Sequence, residues 1–454
     1  MSFWTLDQVA AALREVTTGA VPRGREPLAG IATDTRQLVA GSVFVALKGE
    51  RFDAHDFLCD AVERGAAALV VSNPARAAGL GRPVFAVRDT GEALAALGSW
   101  RRRLWGGTVV AVAGSNGKTT TKELIRAALA GAFEVYATQG NLNNLVGVPL
   151  TLLAIPDAAH IAVVEIGTSL PGEVDTLRRV STPDVAVVTS IGEEHLEGLG
   201  DLAGVLREET SVYRDVPLAI APAAQPEVGH AARTLAHQTV EAGLDAGDVR
   251  PDRWGVDGEG RGWAEFGELR LHLSVRGVHN LRNAMLAMAV ARACGVAPEV
   301  AVKGIAGVQP LNMRGAWRAL GSLTLINDAY NANPASMREA VALLDALDTT
   351  RPRVLVLGSM RELGPRSAAL HDDVAALALR SRAALIAGIG DIAAPLRERA
   401  DGRDDRVIAA PDVEELWPLL EARLPRDAIV LLKASRGVRL ERLVPYLEAW
   451  AGGS

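Results

Sequence analysis

At 454 residues the chain is too long for a single hydrophobic core, so two to four domains are expected. Its 49% hydrophobic and 22% charged content is that of an ordinary soluble globular protein, and a formal net charge of −6 gives no reason to expect nucleic acid or an anionic membrane as partner. Cys59 and Cys294 stand alone and far apart, which excludes a disulfide framework and a cysteine metal site.

The opening residues, MSFWTLDQVAAALREV, carry Asp7 and Glu15 where a secretory signal would be apolar, and no apolar run approaches the length of a membrane span. A cytoplasmic protein with no integral membrane association is the expectation. Strands are predicted at VFVAL (43–47), AALVV (67–71) and PVFAV (83–87), alternating with helical patterns such as that from Asp56 to Arg64. Two polar clusters interrupt them, Thr33-Asp34-Thr35-Arg36 and Gly49-Glu50-Arg51-Phe52-Asp53-Ala54-His55-Asp56, and each reads equally as an exposed turn or a binding loop. A helical segment ending in Trp100-Arg101-Arg102-Arg103 then leads to a boundary near residue 105.

The next stretch, VVAVAGSNGKTTTKELIRAAL (109–129), carries the clearest chemistry. An apolar strand, Val109 to Ala113, feeds the turn Gly114-Ser115-Asn116-Gly117-Lys118-Thr119-Thr120, and an amphipathic helix follows at once. The glycines let backbone N–H groups converge, the helix N-terminus adds its positive dipole end, and Lys118 supplies a charge for the outer phosphates of a nucleotide. Thr119 is placed for Mg²⁺. Val112 stands where the longer form of the motif has its first glycine, so the match is to a shorter G-x-x-G-K-T form. Lysine occurs only at positions 48, 118, 122, 303 and 433; genome composition explains the arginine bias, and it makes Lys118 and Lys433 informative.

From about 106 to 313 apolar strands recur at helical intervals, the pattern of a mostly parallel sheet covered by helices. IAVVEIG (161–167) delivers Glu165 and DVAVVTSIGEEHLEGLG (184–200) delivers His195 beyond its strand, both toward the sheet edge where ligands gather in open α/β folds. Mg²⁺ prefers oxygen ligands, so taken alone His195 reads better as a surface or capping residue; the phosphate loop favours the functional reading. Gln139-Gly140-Asn141-Leu142-Asn143-Asn144 offers amide donors and acceptors for a ligand, or is an Asn-rich turn. In Gly277-Val278-His279-Asn280-Leu281-Arg282-Asn283, Asn280 and Asn283 share a helix face and either meet a base or ribose or cap the helix. Near 256–263 the chain is Gly-rich and polar.

After about 314 the alternation restarts, with buried strands expected at RVLVLG (353–358), AALIAGIG (383–390) and DAIVLLKAS (427–435). Polar groups follow two strands: Asn327-Asp328-Ala329-Tyr330-Asn331-Ala332-Asn333-Pro334, and Lys433-Ala434-Ser435-Arg436-Gly437-Val438-Arg439. This third part has no phosphate loop of its own and reads as a lid. The fold expected is α/β in three domains: a small mixed α/β domain (1–104), a central phosphate-loop ATPase-like, mostly parallel sheet with helices on both faces (105–313), and a Rossmann-like α/β domain (314–454).

Together GSNGKTT, the Glu165 strand, the His195 loop, HNLRNA and Arg314 resemble the Mur ligases, ATP-dependent amide-forming enzymes of peptidoglycan synthesis. GNLNNLVGVPLTLL (140–153) and DAYNANPASM (328–337) resemble the branch that adds D-alanyl-D-alanine. The resemblance implies ATP, two Mg²⁺ ions, UDP-N-acetylmuramoyl-tripeptide and D-alanyl-D-alanine as ligands, and a monomer is expected. It implies catalytic roles for Lys118, Glu165, His195 and Arg314, and ATP contacts from Gly114 to Thr120 and at Asn280, Asn283, Arg314 and Asp328. Metal contacts are implied at Thr119, Glu165, His195 and Glu209. The substrates are implied to meet Thr35, Arg36, Asn141, Asn143, Asn144, Tyr330, Asn331, Asn333, Ser435 and Arg436.

One departure stands out. The family usually has a carbamylated lysine in the helix after the His loop, and Glu209 occupies that position, with no lysine between Lys122 and Lys303. A carbamylated lysine is a carboxylate on a long arm, so Glu209 is read as its replacement, reaching the second Mg²⁺ directly or through water. The alternative is that Glu208 and Glu209 are solvated helix charges. Rival functions are another ligase of the same superfamily, including a folylpolyglutamate type, against which the NANP stretch argues, and an ATP-binding regulatory protein without catalysis, which the missing lysine alone supports. A simple phosphate-loop kinase or GTPase would leave the flanking domains unexplained.

Overall fold

The structure is a computed structural model describing residues 3–49 and 52–452, so Glu50 and Arg51 of the second polar cluster lie outside the described residues. The chain forms two compact units. The first takes residues 1–111, 134–167 and 175–184, and the second takes 112–133, 168–174 and 185–454.

Strands β1 (Ile31–Ala32), β2 (Val43–Val45), β3 (Ala68–Val71) and β4 (Val84–Ala86) form an all-parallel N-terminal sheet in that order. Its sequence is continuously apolar because both faces are covered. Val43, Val45, Val70 and Phe85 pack with Trp4, Val9, Leu13 and Leu97 on one side. Phe44, Leu69 and Val71 pack with Leu58 and Ala61 on the other.

Strands β5 (Thr108–Ala113), β6 (Val135–Ala137), β7 (Ile161–Glu165), β8 (Val185–Val188), β9 (Leu218–Pro222) and β10 (Gln238–Ala242) make the central sheet, in the order β10-β9-β8-β5-β7-β6. β6 pairs in parallel with β7, and β8, β9 and β10 pair in parallel with one another. β11 (Arg253–Val256), β12 (Arg261–Phe266) and β13 (Leu269–Arg276) add an antiparallel three-stranded sheet. Here the Gly-rich polar stretch is a hairpin turn: Asp257 accepts the N–H groups of Glu259 and Arg261 at 2.9 and 2.8 Å, closing the loop between β11 and β12.

The C-terminal sheet, β14 (Ala316–Leu320), β15 (Leu323–Asp328), β16 (Arg353–Leu357), β17 (Leu385–Ile389), β18 (Val407–Ala410) and β19 (Ile429–Lys433), has the order β14-β15-β19-β16-β17-β18. Only β14 runs antiparallel to its neighbour, which makes this sheet mixed. Among the described residues no helix is long and apolar enough to cross a membrane.

The helix Thr90–Trp105, capped by Asp89, belongs to the first unit. Two of its arginines are buried and satisfied by distant carbonyls and carboxylates. Arg101 donates to Ile155 O and to Asp157 at 2.7 and 2.6 Å, and Arg102 donates to Ser181 O, Thr182 O and Asp184 at 3.0, 3.1 and 2.8 Å.

Candidate active site

In the second unit β5 ends at Ala113 and, after the four residues 114–117, the helix Lys118–Leu129 begins. Val112 is a fully buried strand residue, so the phosphate loop starts at Gly114, as the shorter motif requires. Both loop glycines have positive φ, +116° at Gly114 and +81° at Gly117. A Cβ on Gly114 would lie 2.4 Å from Thr189 Oγ1 and 2.7 Å from Thr189 N, and one on Gly117 would lie 2.7 Å from Asn283 Nδ2, so a larger residue at either place is strained and must displace its neighbour. Gly117 is the helix N-cap and has no side chain to accept from the first turn, which leaves that end suited to an external anion.

The loop is anchored from behind. Ser115 N–H donates to Ser190 O at 2.7 Å, and Gly114 N–H donates to Glu209 Oε2 at 2.7 Å. Glu209 lies on the helix Leu202–Thr210 and is fully buried; its neighbour Glu208, also buried, accepts the N–H groups of Gly172 and Val174 at 2.7 and 2.8 Å. Neither is a solvated helix charge, so that alternative is overturned.

Lys118 Nζ donates to Gly114 O at 2.5 Å and lies 3.9 Å from Glu194 Oε1. Glu194, absent from the sequence-derived candidates, is buried beside Lys118, Glu209 and His195. Burial is the main force on it, with repulsion from Glu209 adding and attraction to Lys118 opposing; the carboxyl is pushed up to about 7. The signal for it was present, as GEEH places two acids directly before the histidine. Burial alone would lower the His195 pKa, but the Glu362 and Glu194 carboxylates outweigh it and the net shift is upward. His195 Nδ1 is bonded to Glu362 Oε2, and Nε2 lies 3.7 Å from Glu194 Oε2.

Thr119 is buried in the helix's first turn, and Thr120 follows it half-buried. Asn283 is buried against Gly117, while Asn280 Nδ2 donates to Arg276 O at 2.7 Å and ties the helix Val278–Ala293 to the end of β13. The stretch after β15 comes to the same loop: Asn333 caps the helix Pro334–Ala346 and donates through Nδ2 to Asn116 Oδ1 at 2.9 Å. Arg314 stacks over Tyr330, its Cζ 3.9 Å from the ring centre. Lys433, buried at the end of β19, donates to Asp328 Oδ2 and Asn331 O at 2.5 and 3.2 Å. Ser435 is buried on Ala332 O at 3.2 Å, and Arg436 pairs with Glu441 at 2.9 Å.

In the first unit Glu165 ends β7 and is buried. Its Oε1 accepts from Asn143 Nδ2 at 2.8 Å and its backbone N–H donates to Thr138 Oγ1 at 2.9 Å. The Asn-rich run divides its labour: Asn143 holds Glu165, Asn144 Oδ1 accepts from Gly147 N–H at 2.9 Å to start the helix Gly147–Leu153, and Asn141 is exposed. Thr35 is buried beside Asp60, and exposed Arg36 pairs with Asp34 at 2.6 Å, which holds the Asp34 carboxyl down to about 2.

Among the described residues no three His, Cys, Asp or Glu side chains already form a metal-binding cluster. Glu194 Oε1 and Glu209 Oε1 in the second unit, and Glu165 Oε2 in the first, are nevertheless buried carboxylate oxygens without a hydrogen-bond partner. Buried anionic oxygens without donors suit a hard cation, and Mg²⁺ commonly takes one or two carboxylates and draws its remaining ligands from nucleotide phosphates and water.

Residues 27–101 match the Mur ligase family, catalytic domain; residues 112–291 the Mur ligase middle domain; and residues 313–436 the Mur ligase, glutamate ligase domain. The UDP-N-acetylmuramoyl-tripeptide--D-alanyl-D-alanine ligase of Bacillus subtilis is 35% identical over 431 residues, 92% of this chain and 93% of that protein. The chain belongs to the Mur ligase family. A second Mur ligase bearing the same name, from Escherichia coli, is 32% identical over 459 residues, 96% of this chain and 97% of its own. Among solved Mur ligases, MurF from Acinetobacter baumannii superposes with a TM-score of 0.89 at 31% identity, covering 98% of this chain and 99% of that one. MurF from Thermotoga maritima in complex with ADP gives 0.82 at 27% identity, covering 93% and 98%. The parallel N-terminal sheet, the central parallel sheet and the mixed C-terminal sheet are therefore the three-domain Mur ligase fold.

Proposed function

We propose that this chain is the ATP-dependent amide ligase that joins D-alanyl-D-alanine to UDP-N-acetylmuramoyl-tripeptide in the cytoplasm, acting as a monomer. The observation that carries the reading is the near full-length likeness, at 30% identity or more, to proteins named for that reaction, combined with a phosphate loop backed by buried acids. By this reading residues 1–104 hold the UDP-sugar, 105–313 hold ATP, and 314–454 bring the dipeptide.

The tripeptide carboxylate attacks the γ-phosphorus of ATP, ADP leaves, and an acyl phosphate forms. The dipeptide amine then attacks the acyl carbon, loses a proton, and expels inorganic phosphate from a tetrahedral intermediate. Positioning and charge stabilisation supply most of the rate in such a sequence. Lys118 steadies the outer phosphates, the open N-terminus of its helix receives phosphate oxygens, and Arg314 supplies a further positive charge. Thr119, His195 and Glu209 in one unit, and Glu165 in the other, are carried forward as the residues that would hold Mg²⁺. Mg²⁺, when bound, offsets the charge of the transferring phosphoryl group. Asn280, Asn283 and Asp328 are assigned to the nucleoside end. Thr35, Arg36, the Asn141–Asn144 turn, Tyr330, Asn331, Asn333, Ser435 and Arg436 are assigned to the peptide substrates.

The test is phosphate release from ATP with UDP-N-acetylmuramoyl-tripeptide, with and without D-alanyl-D-alanine. Release that requires both, with the pentapeptide as product, supports the ligase. Tight ATP binding with no release under any acceptor favours the regulatory alternative, and release that depends on another amino acid favours a different ligase of the family.

A further inference from the structure

Two residues with left-handed backbone meet beside the phosphate loop, and neither is glycine: His195 has φ +49° and Glu362 has φ +64°. Each such conformation costs about 1 kcal/mol or more and persists only where the surroundings enforce it. Here the enforcement is visible. Glu362 lies in the loop after β16, and nearly every residue of that loop is pinned. Gly358 N–H donates to Lys433 O and Ser435 N–H to Ser359 O, at 2.9 and 3.0 Å. Met360 N–H donates to Nε2 of the buried His371, and Arg361 N–H to Ser435 Oγ, both at 2.9 Å. Asp391 N–H donates to Ser359 Oγ at 2.8 Å. The loop is thus a rigid arm. At its tip Glu362 O accepts from Glu197 N–H at 3.1 Å, and the Glu362 carboxylate takes His195 Nδ1.

We infer that Glu362 is a positioning residue for His195: the arm after β16 fixes the imidazole so that Nδ1 is committed to Glu362 and Nε2 faces Glu194. The two residues stand 167 positions apart, so the orientation of a side chain next to the phosphate loop depends on the C-terminal sheet being in place. A carboxylate behind a functional histidine selects its tautomer and ring angle, and loss of such a partner typically costs about 10- to 100-fold in activity or affinity. The inference rests on the ligase reading for its kinetic arm only.

The experiment compares Glu362→Ala and Glu362→Gln, each alone and with His195→Ala, in the full chain. Glu362→Ala is expected to lower kcat about 10- to 100-fold with little change in KM for ATP. Glu362→Gln, which keeps an acceptor, recovers part of the loss. In the His195→Ala background Glu362→Ala has no further effect. Independently of turnover, the ¹⁵N-histidine spectrum shows an exchange-protected Nδ1–H for His195, assigned by its loss in His195→Ala; it disappears in Glu362→Ala and survives in Glu362→Gln. Unchanged kcat in Glu362→Ala, losses that multiply independently with His195→Ala, or an Nδ1–H that persists in Glu362→Ala would each overturn the inference. A wild-type protein that releases no phosphate would defeat the ligase reading instead, and the spectrum would still decide the pair.

Discussion

Glu209 combines two demands in one carboxylate: Oε2 holds the first N–H of the phosphate loop, and Oε1 is buried with no hydrogen-bond partner. Glu209→Ala leaves Gly114 N–H buried and unpaired, for a loss of about 1–3 kcal/mol and a lower thermal midpoint. Glu209→Gln can still accept from Gly114. It is expected to melt close to wild type while its phosphate release loses Mg²⁺ sensitivity, which a Mg²⁺ titration of turnover checks. If Glu209→Gln matches wild type in both respects, Glu209 is an anchor for the loop and nothing more. Glu194 gives a pH signature. Its folded pKa of about 7 lies above the ordinary 4.5, so the folded state binds the proton more tightly. Its contribution to stability is full below about 4.5 and is lost as pH rises to about 7. Relative to wild type, Glu194→Gln should therefore gain thermal stability as pH rises across that window in the metal-free protein, and a pH series of melting curves tests this. The position of Glu209 in its helix was readable from sequence. The hydrogen bond to Gly114 was not, because it joins residues 95 positions apart.

The strand, loop and helix around Gly114 to Lys118 were the most readable elements, because an apolar strand buried throughout and a glycine pair at fixed spacing are local signals. Gly117→Ala tests the packing half of that reading. The added methyl would meet Asn283 at 2.7 Å in a backbone conformation that alanine avoids, so nucleotide affinity should fall tenfold or more, roughly the effect of 1.4 kcal/mol, by calorimetric titration with ADP. The antiparallel β11–β13 sheet was not readable in the same way. Its hairpin is written in Asp257, Gly258 and Gly260, residues that signal a turn without declaring that strands flank it. The Asn-rich run was readable as polar and irregular, but the division between Asn143 on Glu165 and Asn144 at a helix start comes from tertiary placement.

Across the second unit, Glu193 lies 3.5 Å from Arg338 and 3.2 Å from Arg366, beside the Asn116–Asn333 and Glu197–Glu362 hydrogen bonds. Ion pairs this accessible are each worth about 0.2–1 kcal/mol and are screened by salt. Glu193→Ala should therefore raise KM for ATP a few-fold at low ionic strength, and wild type should converge on the variant in about 0.5 M salt. A KM series against salt checks both outcomes, and a gap that survives high salt would mean that the clasp is not ionic. The fold class and the three sheets with parallel strands were foreseeable because βα alternation repeats along the chain, whereas this clasp is assembled from residues that only the folded chain makes neighbours. The first unit poses a different problem, one of timing. It is built from three separate stretches, 1–111, 134–167 and 175–184, and Arg102 waits for Asp184, 82 residues later, to neutralise its buried guanidinium. A chain emerging from the ribosome at about 5–20 residues per second must hold the Arg102 guanidinium without its carbonyl and carboxylate partners for several seconds, until residues 181–184 are out. Arrested nascent chains ending before residue 184 should therefore be cut by protease in the helix Thr90–Trp105 more readily than longer ones.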